Sequence, residues 1–228
     1  ALTGSALIAA ALIAAPASAD DLDKIKEAGV LRIAMSGAYP PFNFVNEQNE
    51  VVGFDAAIGA EIAKRMGVKA EIVTTAFDGI IGGLLANKFD AVVGSMSITE
   101  ERQKVVDFVG PYYNTRRGVF ALPDGKVKSV DDLKDATVGV TLGETHDQWT
   151  RDQGYSVRTY KGLPELLMEL ENGRVDAIVN DDLRLPQDDK PKGGVSTGRL
   201  AIWIIVGGVG AYLVISGVIG IVSGGSGG

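Results

Sequence analysis

Gly94-Ser95-Met96-Ser97-Ile98-Thr99-Glu100-Glu101-Arg102, running on to Asp107-Phe108-Val109-Gly110-Pro111-Tyr112-Tyr113, places an arginine where local physics disfavours one. Ala91-Val92-Val93 reads as a short buried strand, Thr99 as a helix N-cap, and Glu100 and Glu101 as first-turn acids suited to a helix N-terminus. Arg102 then sits at the third helical position, against the same dipole. Spare backbone N–H groups beside a guanidinium fork form a receptor for a carboxylate, which is one reason to tolerate that cost. The plainer alternative is an exposed Arg102 paired with Glu101 or Asp107.

Outward from this stretch the chain alternates strand and helix. Val30–Met35, Ala70–Thr74 and Ala91–Val93 read as strands, with helices near Asp55–Met66, where Ile58, Ile62 and Met66 share a face, and near Gly79–Asn87. Thr115–Leu122 reads as an extended crossing segment. Thr137–Val140, Val157–Tyr160 and Ala177–Val179 read as strands of a second unit, and Leu163, Leu166, Leu167 and Leu170 form a stripe on a helix that Gly173 ends. The alternation predicts an α/β protein in two lobes.

Composition narrows the function classes. The formal charge of −7 excludes the basic face that nucleic acid requires, so no nucleic-acid partner is expected. The chain has no cysteine, hence neither a disulfide framework nor a thiolate metal site, and its one histidine, His146, stands in no metal-ligand spacing. No metal or cofactor is expected. Gly194-Val195-Ser196-Thr197-Gly198 fits the nucleophile-elbow pattern, but no strand precedes it to make the elbow, and the chain is not expected to be an enzyme.

Both ends are apolar. Leu2 to Ala15 is uncharged and is followed by Pro16 and Ala17-Ser18-Ala19, the small-x-small form of a signal-peptidase site, so 1–19 reads as a signal peptide or a retained N-terminal anchor. Residues 186–199 read as a polar linker. Leu200 to Val222 is a run of 23 residues without a charge. As a helix it would span ~34 Å and cross a ~30 Å hydrocarbon core, so 200–222 is predicted to be transmembrane, followed by a tail at 223–228. Gly207, Gly210 and Gly217 would let another membrane helix approach closely, which points to an integral membrane partner.

Six ordered blocks carry a resemblance: Leu31-Arg32-Ile33-Ala34 with Tyr39-Pro40-Pro41-Phe42; Val52-Gly53-Phe54-Asp55; Phe77-Asp78-Gly79-Ile80; the Arg102 block; Val138-Gly139-Val140 with Gly143; and Val175-Asp176-Ala177-Ile178. Between about Val30 and Asp181 the chain resembles the periplasmic solute-binding proteins of polar amino-acid ABC transporters. The resemblance implies a periplasmic-binding-protein-like fold, with lobe one at 20–114 and part of lobe two at 115–185. It ends after Asp182, where relatives complete lobe two and close lobe one. The second lobe is therefore expected to be incomplete, with sheet edges for a partner to cover.

The resemblance also implies roles. Arg102 would grip a ligand's α-carboxylate, with Ser97 and the backbone at Ser95 adding hydrogen bonds. The N–H of Thr145 would meet the same carboxylate from lobe two, and Asp181, just after a strand, would pair with the α-ammonium. Tyr39 and Phe77 would sandwich the ligand's apolar part. Relatives often carry an acid where Ser36 stands and a bulkier polar residue near Thr141 or Asn180, so side-chain selectivity is not implied. Each role has a plain counterpart: Ser97 as a cap, Phe77 as core, Asp181 as the start of a solvated turn. Two functions follow. One is a binding protein tethered at the outer face of the cytoplasmic membrane, delivering an amino acid to a permease; the other is a binding-protein fold kept as a non-catalytic subunit of a membrane complex.

Overall fold

The structure, a computed structural model, describes residues 21–182 and 219–221. Strand β1 (Val30–Met35) lies between β5 (Lys69–Thr74) and β6 (Ala91–Val92) in a three-stranded parallel sheet. Alternation along β1 divides the first lobe's core in two. Leu31, Ile33 and Met35 meet Ala56 and Ala63 of helix α2 (Phe54–Met66), while Ala34 meets Phe77, Ile80 and Phe89 on the other face. Helix α1 (Asp21–Ala28) leads into β1, and a 3-10 turn at Phe77–Gly79 runs into α3 (Ile80–Leu85). A small antiparallel sheet of β2 (Ala38–Tyr39), β3 (Asn43–Val45) and β4 (Val51–Val52) sits at the end of β1; nothing in the alternating pattern announced it.

The second lobe is a sheet in the order β11-β7-β10-β8-β9. It comprises β7 (Arg116–Ala121), β8 (Thr137–Thr141), β9 (Ser156–Tyr160), β10 (Ala177–Asp182) and β11 (Ile219–Ile221). β8 runs parallel to β9 and β10, and β7 runs antiparallel to β10. One face packs Val119, Val138, Val140 and Val179 around Leu133; the other packs Ile178 and Val175 against Leu166 and Leu170 of α6 (Leu163–Glu171). Each such fully buried Leu or Val contributes roughly 1.5–3 kcal/mol. Helix α5 (Thr145–Asp152) starts beyond the end of β8.

Three differences from the sequence reading have physical causes. Strand β10 continues through Asn180, Asp181 and Asp182 instead of ending at Val179, because β7 sets Arg117 and Arg116 opposite the two acids. Asp181 therefore lies in the strand and not after it. The helix after Thr99, α4, is only Glu100–Gln103, too short for a dipole to weigh against Arg102. Thr99 does cap it, its hydroxyl accepting from the Arg102 N–H at 3.2 Å.

The membrane helix expected over 200–222 lies outside the described residues except at Ile219–Ile221, and those three are a strand, not a helix. They run antiparallel to β7, with Ile219 opposite Ala121 and Ile221 opposite Val119. The open backbone edge of β7 needs hydrogen-bond partners, and an extended segment supplies them. Among the described residues no helix is long and apolar enough to cross a membrane. The expected leader or anchor at 1–19, linker at 186–199 and tail at 223–228 also lie outside them. Among the described residues both lobe sheets keep open edges, the second lobe's at β11 and β9 and the first lobe's at β5 and at the edge formed by β6. A cavity of about 800 Å³ runs along that edge from Ile62 and Leu84 to Tyr112, Thr115 and Asp181.

Candidate functional site

The two lobes face each other across a cleft whose walls come from loop ends. The loop after β6 belongs to lobe one and reaches across through Arg102. The guanidinium donates from Nη1 to the Ser97 carbonyl at 2.7 Å and from Nη2 to the Gly143 carbonyl of lobe two at 3.0 Å. Its Cζ stands 5.6 Å from the centroid of the Phe77 ring. Among the described residues no carboxylate lies within ion-pair distance of it, so the expected alternatives, Glu101 and Asp107, are not its partners. Burial pulls its pKa below the ordinary value, against the attraction of Glu144. Phe77 is buried with Ile80 and Phe89, the core role foreseen for it, and one ring face is turned to Arg102.

Ser95 is turned away from the role expected of it. Its backbone N–H donates to the Tyr112 hydroxyl at 2.9 Å, and its own hydroxyl donates to Asp55 at 2.8 Å, so the N–H is already engaged. The reason is Asp55, fully buried at the start of α2. Its carboxylate also accepts from the Tyr112 hydroxyl at 2.7 Å and the Asn43 amide at 2.6 Å. Burial raises the Asp55 pKa, and the hydrogen bonds of Tyr112, Ser95 and Asn43 oppose that rise. The ring of donors holds Ser95 at a φ of 55°, a conformation non-glycine residues seldom adopt. Asn43 in turn accepts from Ser36 Oγ and the Gly37 N–H, at 2.9 and 2.8 Å. One buried carboxylate thus ties the end of β1, the loop after β6 and the segment before β7. The sequence reading quoted Gly53-Phe54-Asp55 but gave Asp55 no role, since its partners lie far along the chain.

The second lobe contributes Asp181, Asn180 and the start of α5. Tyr39 of lobe one donates its hydroxyl to Asp181 Oδ2 and is also 3.2 Å from Asn180 Oδ1. Thr115 Oγ1 donates to Asp181 Oδ1 at 2.5 Å, and His146 Nε2 lies 3.3 Å from the same oxygen. Burial works to raise the Asp181 pKa, but the contacts with His146, Thr115 and Tyr39 outweigh it and hold the carboxyl below its ordinary value. Burial and the neighbouring Asp181 push Tyr39 well above the ordinary phenol value. Thr145 opens α5, two residues after the Gly143 carbonyl that holds Arg102. Glu144 between them has its pKa pushed up to about 8, by burial first and Asp181 second, with Arg102 and Asp147 acting in opposite senses. Sequence reasoning gave Glu144, His146 and Thr115 no place in the site; Arg102 stood out by its position on a helix start, and Asp181 and the other candidates came from the resemblance. Tyr39 stacks on Phe42 at 5.1 Å between centroids, and Phe42 on Tyr113 at 4.7 Å, an aromatic ladder behind the cleft.

The site as built pairs a cation held only by carbonyls in one wall with an anion ringed by hydroxyls in the other. That arrangement suits a zwitterion. Among the described residues no group of His, Asp or Glu is arranged to hold a metal ion.

Comparison with known proteins finds relatives that match most of this chain. The L-cystine-binding protein TcyJ of Escherichia coli K12 is 38% identical over 184 residues, 78% of this chain and 68% of the relative. The ABC transporter arginine-binding protein 1 of the same organism is 34% identical over 174 residues, 75% of this chain and 71% of the relative. Among solved structures, holo ArgBP from T. maritima matches with a TM-score of 0.66 and 40% identity, covering 70% of this chain and 72% of that one. An ancestral amino acid-binding protein, a precursor of cyclohexadienyl dehydratase, matches at 0.68 and 38%, covering 71% and 74%. With residues 31–184 matching the family as a whole, the chain belongs to the bacterial extracellular solute-binding proteins, family 3.

Proposed function

We propose that this protein binds a free amino acid between its lobes, outside the cytoplasmic membrane, and presents it to an ABC-transporter permease. The observation that carries the reading is Arg102, a partly buried guanidinium satisfied by two carbonyls, one from each lobe, with the Asp181 carboxylate of the second lobe held by Tyr39 and Thr115. A ligand carboxylate would replace the Gly143 carbonyl with a charge-assisted, two-pronged contact. Its ammonium would lie against Asp181, with Tyr39 and Phe77 on either side of its apolar part and the Thr145 N–H and Ser97 at the carboxylate. Ser95 would act through its neighbours, since its own N–H is engaged by Tyr112. The names of the relatives support the ligand class: they are binding proteins for cystine, arginine and histidine. They also favour a transport role over that of a ligand-free subunit.

Calorimetry against a panel of amino acids tests the reading. Binding with wild-type protein, weakened by ~2–3 kcal/mol or about two orders of magnitude in Arg102→Ala, is the expected result. No heat with any amino acid would overturn it. The finer reading, in which 200–222 tethers the protein and meets an integral membrane partner, rests on the uncharged composition of that stretch. Extraction with alkaline carbonate checks it: full release of a chain lacking residues 1–19 would remove the tether.

A further inference from the structure

The chain has one imidazole, and it is spent on the carboxylate that a ligand ammonium would need. His146 stands second in α5 and is 5% exposed. Its Nε2 lies 3.3 Å from Asp181 Oδ1, the ring's one carboxylate partner among the described residues. Asp181 lines the cavity together with Thr115; His146 is not part of that lining and reaches it through Asp181. Because a carboxylate oxygen only accepts, Nε2 carries a hydrogen whatever the charge of the ring. Protonation is decided at Nδ1, which is buried without a partner among the described residues. Neutral, that atom is a bare lone pair; protonated, it is a buried N–H with no acceptor, and the attraction of Asp181 is what offsets the cost.

The other ionisable groups near the ring are engaged elsewhere. Helix α5 packs on β8, β9 and β10, and β8 carries no ionisable side chain. Arg158 and Tyr160 of β9 donate to the Arg174 carbonyl and to Glu169, and Asp182 of β10 stands 4.0 Å from Arg116 of β7. Arg117 of β7 lies over the Trp149 ring at 4.7 Å, and Asp147 is paired with Arg151 at 2.7 Å. Arginine keeps its charge at all these pH values, and the Tyr39 hydroxyl donates to Asp181 as a neutral phenol. Glu144 is the other group that titrates near the cleft, its pKa pushed up to about 8. Its charge appears as the pH rises and opposes a ligand carboxylate at Arg102, an effect of the opposite sign to one at Asp181.

We propose that the proton of His146 and the ammonium of an amino acid compete for Asp181, so that His146 is a positioning residue through which binding releases a proton and weakens as the pH falls. The proposal rests on the amino-acid-binding reading and deepens it. With the ring cationic, Asp181 is already neutralised from within, and an arriving ammonium would set a second cation beside the first. The ring gives its Nδ1 proton to solvent, the ammonium takes its place, and one positive charge still faces the carboxylate. Neutral His146 keeps its Nε2–H on Oδ1 and holds Asp181 turned to the cavity. By linkage, the proton lowers ligand affinity by the same factor by which the ligand lowers proton affinity.

Since the full chain holds a single histidine, the ring can be titrated by NMR without ambiguity. With no ligand present, Asp181→Asn should weaken proton binding to the ring by about tenfold relative to wild type. Calorimetry with L-arginine, L-glutamine and L-alanine then covers the interval between about pH 5 and 7, where histidine changes charge. The tightest of the three should bind the wild-type protein at least ~5-fold more weakly at the acid end, and the dependence of its heat on buffer ionisation should show a proton released. Saturation with it should also weaken proton binding to the ring. His146→Gln keeps a donor for Asp181 and cannot be charged, so its affinity should no longer vary over the interval and no proton should leave. If Asp181→Asn or the ligand leaves the ring titration unmoved, or if the pH dependence survives His146→Gln, the inference is overturned while the amino-acid reading stands. If none of the three amino acids binds at any pH, both fall together.

Discussion

Nη2 of Arg102 and the carbonyl oxygen of Gly143 lie 3.0 Å apart, so the cation of the first lobe is held by the main chain of the second. The contact ties the two lobes together across the cleft. It also explains how a partly buried guanidinium is tolerated among the described residues without an ion pair: its N–H groups are spent on carbonyls.

Replacing Arg102 by Lys keeps the charge and removes the fork. Lysine offers a point charge and cannot span the Ser97 and Gly143 carbonyls or grip a carboxylate at two points. Affinity for the best amino acid should fall by about tenfold, between wild type and Arg102→Ala, as read by titration calorimetry.

Glu144 makes stability fall with rising pH. Its carboxyl moves from an ordinary value of 4.5 to about 8 on folding, so the folded chain takes up a proton between those values. The contribution is full below 4.5 and is lost as the pH rises through about 8. Urea unfolding at a series of pH values should show that decline, and Glu144→Gln should flatten it. Asp181 acts in the opposite sense: its lowered pKa gives stability present above the ordinary carboxylate range and lost as the pH falls through its folded value.

Asp55→Ala removes an acceptor shared by Asn43, Ser95 and Tyr112 and leaves buried donors behind. A cost of ~2–4 kcal/mol in unfolding free energy is expected, with Asp55→Asn costing less because one oxygen remains. Ligand affinity of the folded fraction should fall as well, since Ser95 is freed from its unusual backbone conformation. Chemical denaturation and calorimetry on the same samples separate the two effects.

Gly53→Ala should be more harmful than its size suggests. The residue before α2 has a φ of 117°, and a Cβ there would run into the carbonyl oxygens of Phe42 and Pro41. The strain has no flexible side chain to absorb it, so a loss of more than ~1 kcal/mol is expected, read as a lowered thermal midpoint.

The amino-acid sequence by itself determined what is local. Val30–Met35 is a strand because its apolar residues feed two core faces, α2 begins one residue from its expected start, and Thr99 caps the helix that follows it. Such features depend on alternation, turn residues and capping within a few positions, and those are written along the chain. The tertiary structure alone decided which groups meet. It set Asp55 against Ser95 and Tyr112, at separations of 40 and 57 residues, and Tyr39 against Asn180, at 141. It also extended β10 through two acids because β7 brings arginines opposite them, where composition pointed to a turn. Sheet order and register fix these pairings, and both arise from how whole faces bury each other, which no short window of sequence contains.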